Sequence, residues 1–274
     1  MRVRHLDCGS MHPLGGKLVD GAPGLFRTAH LVCHVLLVEG DDGLVLVDTG
    51  FGVADLANPR DTLPGPFVAL VRPVRDPAQA ALRQLEALGY NRSDVRHIVL
   101  THLDLDHAGG IADFPDARVH VFGPEHRAAM TPATASEKAR YRRAHWAHNP
   151  KWEIHEPSAG ERWMGLEAVR PLPGLSDDFL LVPLQGHTRG HCGVAVNSDT
   201  GWLLHAGDTY FNRAEMDPVP SCPPGLRVFQ SVAQIDGKAR HANQKRLHEM
   251  VQGHRGEVTV FSAHDAAELQ RLSG

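Results

Sequence analysis

Residues 101–110, Thr101-His102-Leu103-Asp104-Leu105-Asp106-His107-Ala108-Gly109-Gly110, pack four metal-ligand side chains into one short segment directly after the apolar run His97-Ile98-Val99-Leu100. An extended chain sends alternate residues the same way, so His102 and Asp104 share a side, and the following turn brings Asp106 and His107 round to them. Imidazole with carboxylate suits zinc, iron or manganese. The glycine pair lets backbone pass close to a metal cluster and on into a helix.

Three further candidates stand at the ends of other apolar runs. His187 follows Phe179–Leu184, Asp208 follows Gly201–His205, and His264 follows Glu257–Phe261. Ligands at matching ends of several strands meet at one edge of the folded sheets. With His102, Asp104, Asp106 and His107 they form a set of seven, enough for two metals that share a bridge. Such sites activate a water and neutralise an oxyanion as it forms, which is hydrolase chemistry. His191, four residues after His187, reads as a structural hydrogen-bonder, and His205 as a packed core histidine. His145, His148 and His155 lack strand-end placement and are read as non-ligands.

The elements that must position these groups are legible as alternating strands and helices. Val3–Cys8, Leu31–Glu39 and Leu44–Asp48 read as strands, the last two joined by Gly40-Asp41-Asp42-Gly43, which is good hairpin-turn chemistry. Asp48-Thr49-Gly50 is either a support behind the ligands or a simple turn. Residues 51–75, with Pro59, Pro64, Pro66 and Pro73, suggest an irregular loop able to cover a pocket. Asp76-Pro77 predicts a helix start, with Ala81, Leu82 and Leu85 at helical spacing. After a strand at Ala117–Phe122, Ser136 is the predicted cap of a helix to about His148, whose Lys138, Arg140, Arg142 and Arg143 read as a solvated face. Trp146, Trp152 and Trp163 make 130–165 an expected pocket-covering insertion, and Phe51, Phe67 and Phe211 are expected to join Trp146 and Trp152 as apolar walls. Cys192–Asn197 is a further strand. The connection Pro218–Pro224 leads to a helix at about Gly237–Gly253, and Ala266–Leu272 closes the chain as a helix.

Length and composition set the frame. A chain of 274 residues with 42% hydrophobic content can bury a sizeable core, and 1–274 is read as a single domain. Lysine and arginine number 28 against 32 aspartate and glutamate, a formal charge of -4, which lacks the basic excess that nucleic-acid binding needs. No apolar stretch approaches a membrane span, and Met1-Arg2-Val3-Arg4 has no apolar region behind it, so a cytoplasmic protein acting on a small molecule is expected. The four cysteines, Cys8, Cys33, Cys192 and Cys222, form no C-x-x-C pair and read as buried small residues.

Thr101–Gly110, Gly186-His187-Thr188-Arg189-Gly190-His191, Gly207-Asp208-Thr209 and Ser262-Ala263-His264-Asp265 occur in the order in which the metallo-β-lactamase superfamily carries its motifs, and Leu46-Val47-Asp48-Thr49-Gly50 resembles its first strands. The resemblance spans nearly the whole chain. It implies an α/β (α+β) fold, a four-layer αββα sandwich, holding two divalent metal ions. It places His102, position 104 and His187 on one ion, Asp106, His107 and His264 on the other, and Asp208 between them. Zinc is the implied occupant. Asp104 departs from the family's usual histidine, and this set of two histidines and a carboxylate also admits iron or manganese.

Within the family the chain looks most like lactonases that open acyl-homoserine lactones. The implied mechanism is attack by a metal-bridging hydroxide, oriented by Asp106 or Asp208, on a lactone or small ester. In that group a tyrosine three residues beyond the bridging Asp donates to the substrate carbonyl; here Phe211 holds that position, and Tyr210 is the candidate assistant. A thioester hydrolase of the glyoxalase II kind and a mononuclear-iron enzyme like the sulfur dioxygenases are the alternatives, with a binding protein that has lost turnover as a third.

Overall fold

The computed structural model describes residues 1–40, 42–157, 162–168 and 172–273. Twelve strands can be followed along these residues: β1 (Arg2–Asp7), β2 (His34–Gly40), β3 (Gly43–Val47), β4 (Val95–Val99), β5 (Arg118–Phe122), β6 (Lys151–His155), β7 (Arg162–Trp163), β8 (Leu166–Glu167), β9 (Phe179–Pro183), β10 (Cys192–Ser198), β11 (Gly201–His205) and β12 (Val258–Phe261). They make a six-stranded sheet ordered β1-β2-β3-β4-β5-β6, a four-stranded sheet ordered β12-β11-β10-β9, and a small β7-β8 pair. In the first sheet β1, β2 and β3 are antiparallel and β3 to β6 run parallel. In the second, β11 and β12 are parallel and the rest antiparallel.

The strands read as nearly unbroken apolar runs because both faces of each sheet are covered. Leu36, Val38, Val47 and Val99 on one face of the first sheet meet Leu181, Val194, Val196 and Phe261 of the second, filling the space between sheets. On the far side of the first sheet, Leu37, Leu46, Ile98 and Val119 pack with Leu82 and Leu85 of the helix Ala81–Ala87. On the far side of the second, Val182, Ala195 and Leu204 pack with Leu247 and Met250 of the helix Gly237–Gly253. These are the four layers, helix, sheet, sheet and helix.

Several expectations need correcting. Residues 51–75 are mostly helical, with Val53–Ala57, Pro59–Thr62 and Gly65–Val71 in short helices; Pro59 and Pro66 stand in their first turns, where a missing N–H costs nothing. Thr134 rather than Ser136 caps the helix Ala135–Arg140, its hydroxyl accepting from Glu137 N while its own N–H donates to the Glu137 carboxylate. That helix stops at Arg140, short of His148. Asp76 does cap, accepting from Ala78 N, but the turn it opens is 3-10 and the helix starts at Ala81.

Within 130–165, Lys151–His155 is the edge strand of the first sheet. Trp146 is buried in the cluster around Tyr141 and Phe114 with Trp152 packed on it, and Trp163 packs with Leu180 and Met216 in another cluster. The three rings are core. The predicted turn residue Asp41 lies outside the described residues, as do 158–161. Among the described residues no helix is long and apolar enough to cross a membrane. Cys8, Cys33 and Cys192 are buried, as expected, and Cys222 is half-buried.

Candidate metal centre

The parallel pairing of β3 with β4 and of β11 with β12 delivers Asp48, Thr101, Asp208 and His264 to one edge. His187 arrives in the loop between β9 and β10. Around these ends the seven candidates converge. His102 and His107 have ring centroids 4.0 Å apart, His102 and His187 5.0 Å, and His107 and His264 5.2 Å.

Asp208 stands at the centre with each oxygen facing a different group. Its Oδ2 is 3.2 Å from His187 Nε2 and 3.7 Å from His102 Nε2. Its Oδ1 is 3.1 Å from His264 Nε2 and 3.2 Å from His107 Nε2. Asp104 completes the first group, with Oδ2 at 3.0 Å from His187 Nε2 and 3.4 Å from His102 Nε2. Asp106 borders the second, 3.8 Å from His264 Nε2 and 4.0 Å from His107 Nε2. The sulfur of Cys33 lies within 4.8 Å of donor atoms of Asp106 and His264.

The rings are aimed by what holds their other nitrogen. His107 Nδ1 pairs with Asp48 Oδ2 at 2.8 Å, His264 Nδ1 with the carbonyl of Val32 at 2.8 Å, and His102 Nδ1 with Thr101 Oγ1 at 3.0 Å. Each then offers Nε2 inward, the arrangement in which an outer partner fixes tautomer and direction. Among the described residues, His102 Nε2, His107 Nε2, Asp104 Oδ1 and Asp208 Oδ1 are buried and have no hydrogen-bond partner. Buried acceptors are costly to leave unmade, and a pair of divalent cations would satisfy them. The donor set fits the implied metals, two histidines and a carboxylate on each side of Asp208.

Charge follows geometry. Burial alone would raise the Asp208 carboxyl, but His264, His107, His187 and His102 hold it well below the usual carboxylate range. Burial opposes protonation of His107, yet Asp208 and Asp48 push it well above the ordinary imidazole range. His187 goes the other way, lowered chiefly by burial with Arg140 nearby.

The supports were partly invisible in the sequence. Asp48, one of two open readings, is a support: it accepts from Thr101 N and Thr101 Oγ1, both at 2.8 Å, as well as meeting His107. Glu125, which the sequence marks only as part of the helix start Gly123-Pro124-Glu125, is fully buried and accepts from Leu103 N at 2.9 Å, Gly190 N at 3.0 Å, Thr188 Oγ1 at 2.7 Å and Tyr141 Oη at 3.1 Å. It thereby ties both ligand loops together. Gly190 permits this approach, since a Cβ there would sit 2.0 Å from Glu125 N. His191 is the expected hydrogen-bonder, paired through Nδ1 with the carbonyl of Leu184 at 2.9 Å and accepting at Nε2 from Asp208 N at 2.8 Å. His205 is buried and pairs with the carbonyl of His34 at 2.6 Å.

Tyr210 does not belong to the site. Its phenol is fully buried and donates to Glu268 at 3.1 Å, because one step along the chain reverses the side a residue faces. Phe211 faces the centre instead, its ring stacked on His264 at 4.9 Å. Arg140, expected on a solvated face, has Nη1 3.2 Å from Asp104 Oδ2.

A cavity of about 470 Å³ opens beside the ligands. Phe67, Leu70 and Val71 form one wall and Phe211, Phe229 and Val232 another, with Asp104, Asp106, Asp208 and Arg140 at its floor. Phe67 and Phe211 are walls as expected; Phe51 is sealed in the core with Leu56 and Leu63, and Trp146 and Trp152 are not among the lining residues. Phe229 and Val232 come from the helix Pro224–Ala233, which the proline-rich reading of Pro218–Pro224 did not reach.

Residues 29–246 match the metallo-beta-lactamase superfamily. The chain belongs to that superfamily. A probable metallo-hydrolase of Mycobacterium tuberculosis is 43% identical over 265 residues, 97% of this chain and 80% of that protein. The N-acyl homoserine lactonase AiiA of Bacillus thuringiensis subsp. kurstaki is 24% identical over 246 residues, 89% of this chain and 84% of its own length. Among solved structures, an N-acyl homoserine lactone hydrolase with the product N-hexanoyl-L-homoserine at its catalytic metal centre superposes with a TM-score of 0.72 at 21% identity, covering 98% of this chain and 95% of that one. The protein is therefore a metallo-hydrolase by family, and its αββα layers are those of its structural neighbours.

Proposed function

We propose that the protein hydrolyses a lactone or small ester at a centre holding two divalent ions, with zinc as the expected metal. The observation that carries this reading is Asp208, whose two oxygens face two separate groups of imidazoles. His102, Asp104 and His187 would hold one ion and Asp106, His107 and His264 the other. When bound, such ions supply Lewis acidity and a water acidic enough to attack at neutral pH.

The chain's own residues do the rest. Asp106 and Asp208 both border the cavity, so either carboxylate can orient the attacking water and take its proton. Phe211 and the two apolar walls seat an acyl chain and exclude bulk water from the carbonyl. The acyl-homoserine lactone relatives support this class. The described lining offers one arginine and no lysine, and that arginine, Arg140, is already paired with Asp104, which favours a weakly charged substrate over a polyanionic thioester carrier.

The test is an activity panel of lactones, thioesters, β-lactams and phosphodiesters on metal-loaded protein, with elemental analysis of the same preparation. Two zincs per chain and turnover of acyl lactones or esters is the expected result. A single iron bound by His102, Asp104 and His187 with turnover only in the presence of oxygen would replace this reading with an oxidative one.

A further inference from the structure

Arg140 is the last residue of the helix Ala135–Arg140, and its Nη1 approaches Asp104 through Oδ2, the oxygen that also faces His187 and His102. The two side chains are 11% and 12% exposed, which removes them from the surface class in which ion pairs count for little. The guanidinium is also fixed from behind. Nη1 donates to the carbonyl of His187 at 3.2 Å, and Nη2 donates to that of Ala233. Three segments thus set its position.

A ligand set with histidine at position 104 would carry carboxylates only at Asp106 and Asp208. Asp104 adds a third, and Arg140 returns the charge of the set to that of two. We propose that Asp104 and Arg140 act together as one neutral ligand, with Arg140 a positioning residue that offsets the carboxylate and holds it against the two imidazoles. An ion there stays as electron-poor as one bound by histidine, so the loss of Lewis acidity that an extra anionic donor brings is avoided. The proposal rests on the metal-centre reading above.

Removing Arg140 should then act in two opposite ways. Without metal, a buried carboxylate loses its partner and the fold weakens. With metal, a cation that repels the ion at short range is gone, and binding tightens. An arginine that merely tethers a helix to two carbonyls would weaken the fold to the same extent whatever stands at 104, and would leave metal binding equal or weaker.

The experiment compares wild type, Arg140→Met, Asp104→His and the double variant, each stripped by chelation, in thermal melts and in zinc competition against a chromophoric chelator. Arg140→Met is expected to lower the metal-free Tm by about 5–10 °C and to bind zinc about tenfold tighter or more. The double variant should recover most of that Tm loss, and Asp104→His alone, with its arginine unpaired, should melt below the double. An equal cost of Arg140→Met in both backgrounds, or zinc binding no tighter, overturns the proposal. A wild type that takes up no metal would sink the metal-centre reading instead, while the stripped melts still decide the pair.

Discussion

Replacing Glu125 by glutamine changes no shape and only one atom type, yet it should loosen the whole centre. The carboxylate receives four donors, Leu103 N and Tyr141 Oη on Oε1, Thr188 Oγ1 and Gly190 N on Oε2. An amide must point its NH2 at one of these pairs. The hydroxyl in either pair can turn and accept, but the backbone N–H cannot, so one buried N–H is left facing another donor. An orphaned buried N–H costs about 1–3 kcal/mol, and the surviving bonds drop from charge-assisted to neutral strength. We expect a loss of about 2–4 kcal/mol, or roughly 5–15 °C in Tm for a chain of this size. Leu103 separates His102 from Asp104, and Gly190 lies three residues past His187, so metal content should fall along with stability. Denaturant unfolding of chelator-treated protein, with elemental analysis of the untreated protein, measures both. A Glu125→Gln variant with wild-type stability and full metal would refute the clamp.

Three further outcomes are expected. Phe67→Ala should raise KM for acyl substrates by about fivefold, through roughly 1 kcal/mol of lost apolar contact, and leave metal content unchanged; an unaltered KM with every chain length would remove that wall from the binding site. Tyr210→Phe should cost about 1 kcal/mol of stability and no kcat, since among the described residues the phenol's partner is Glu268; a large fall in kcat would return Tyr210 to the chemistry. Burial lifts the Glu268 carboxyl to about 7, helped by Asp265. The folded protein then holds that proton through a range in which the unfolded chain has released it, so stability falls as pH rises from about 4.5 to 7. Glu268→Gln should match wild type near pH 4.5 and exceed it by up to about 3 kcal/mol at pH 8, and an advantage independent of pH in paired unfolding curves would show that the carboxyl titrates normally.

The fold was legible because its strands carry their own signal. Gly201–His205, Gly237–Gly253 and Ala266–Leu272 fall where periodicity and turn residues put them. The errors cluster where local pattern and tertiary packing diverge. Prolines in 51–75 looked like breakers, but two of them stand at positions in the first turn of a helix that need no N–H. The tryptophans looked like a lid because indole is common in pockets; the same area buried against Tyr141 or Leu180 is worth as much in a core, and sequence has no term that separates the two.

The ligands could be read because each follows a strand end closely, a local cue within eight residues. Their supports have no such cue. Glu125 reaches Leu103, 22 residues back, and Gly190, 65 residues on, and Arg140 meets Asp104 only because the helix Ala135–Arg140 ends over the β4 loop. A basic run in a helix looks solvated whenever most of it is, and Lys138 is exposed beside buried Glu137. One signal was available even so. Asp104 is an anionic residue at a place where the resemblance calls for a neutral one, and a buried charge must find a partner or neutralise. That requirement does not say which arginine answers it, but it does say that one should, and it turns a departure from a motif into a search for the cation that permits it.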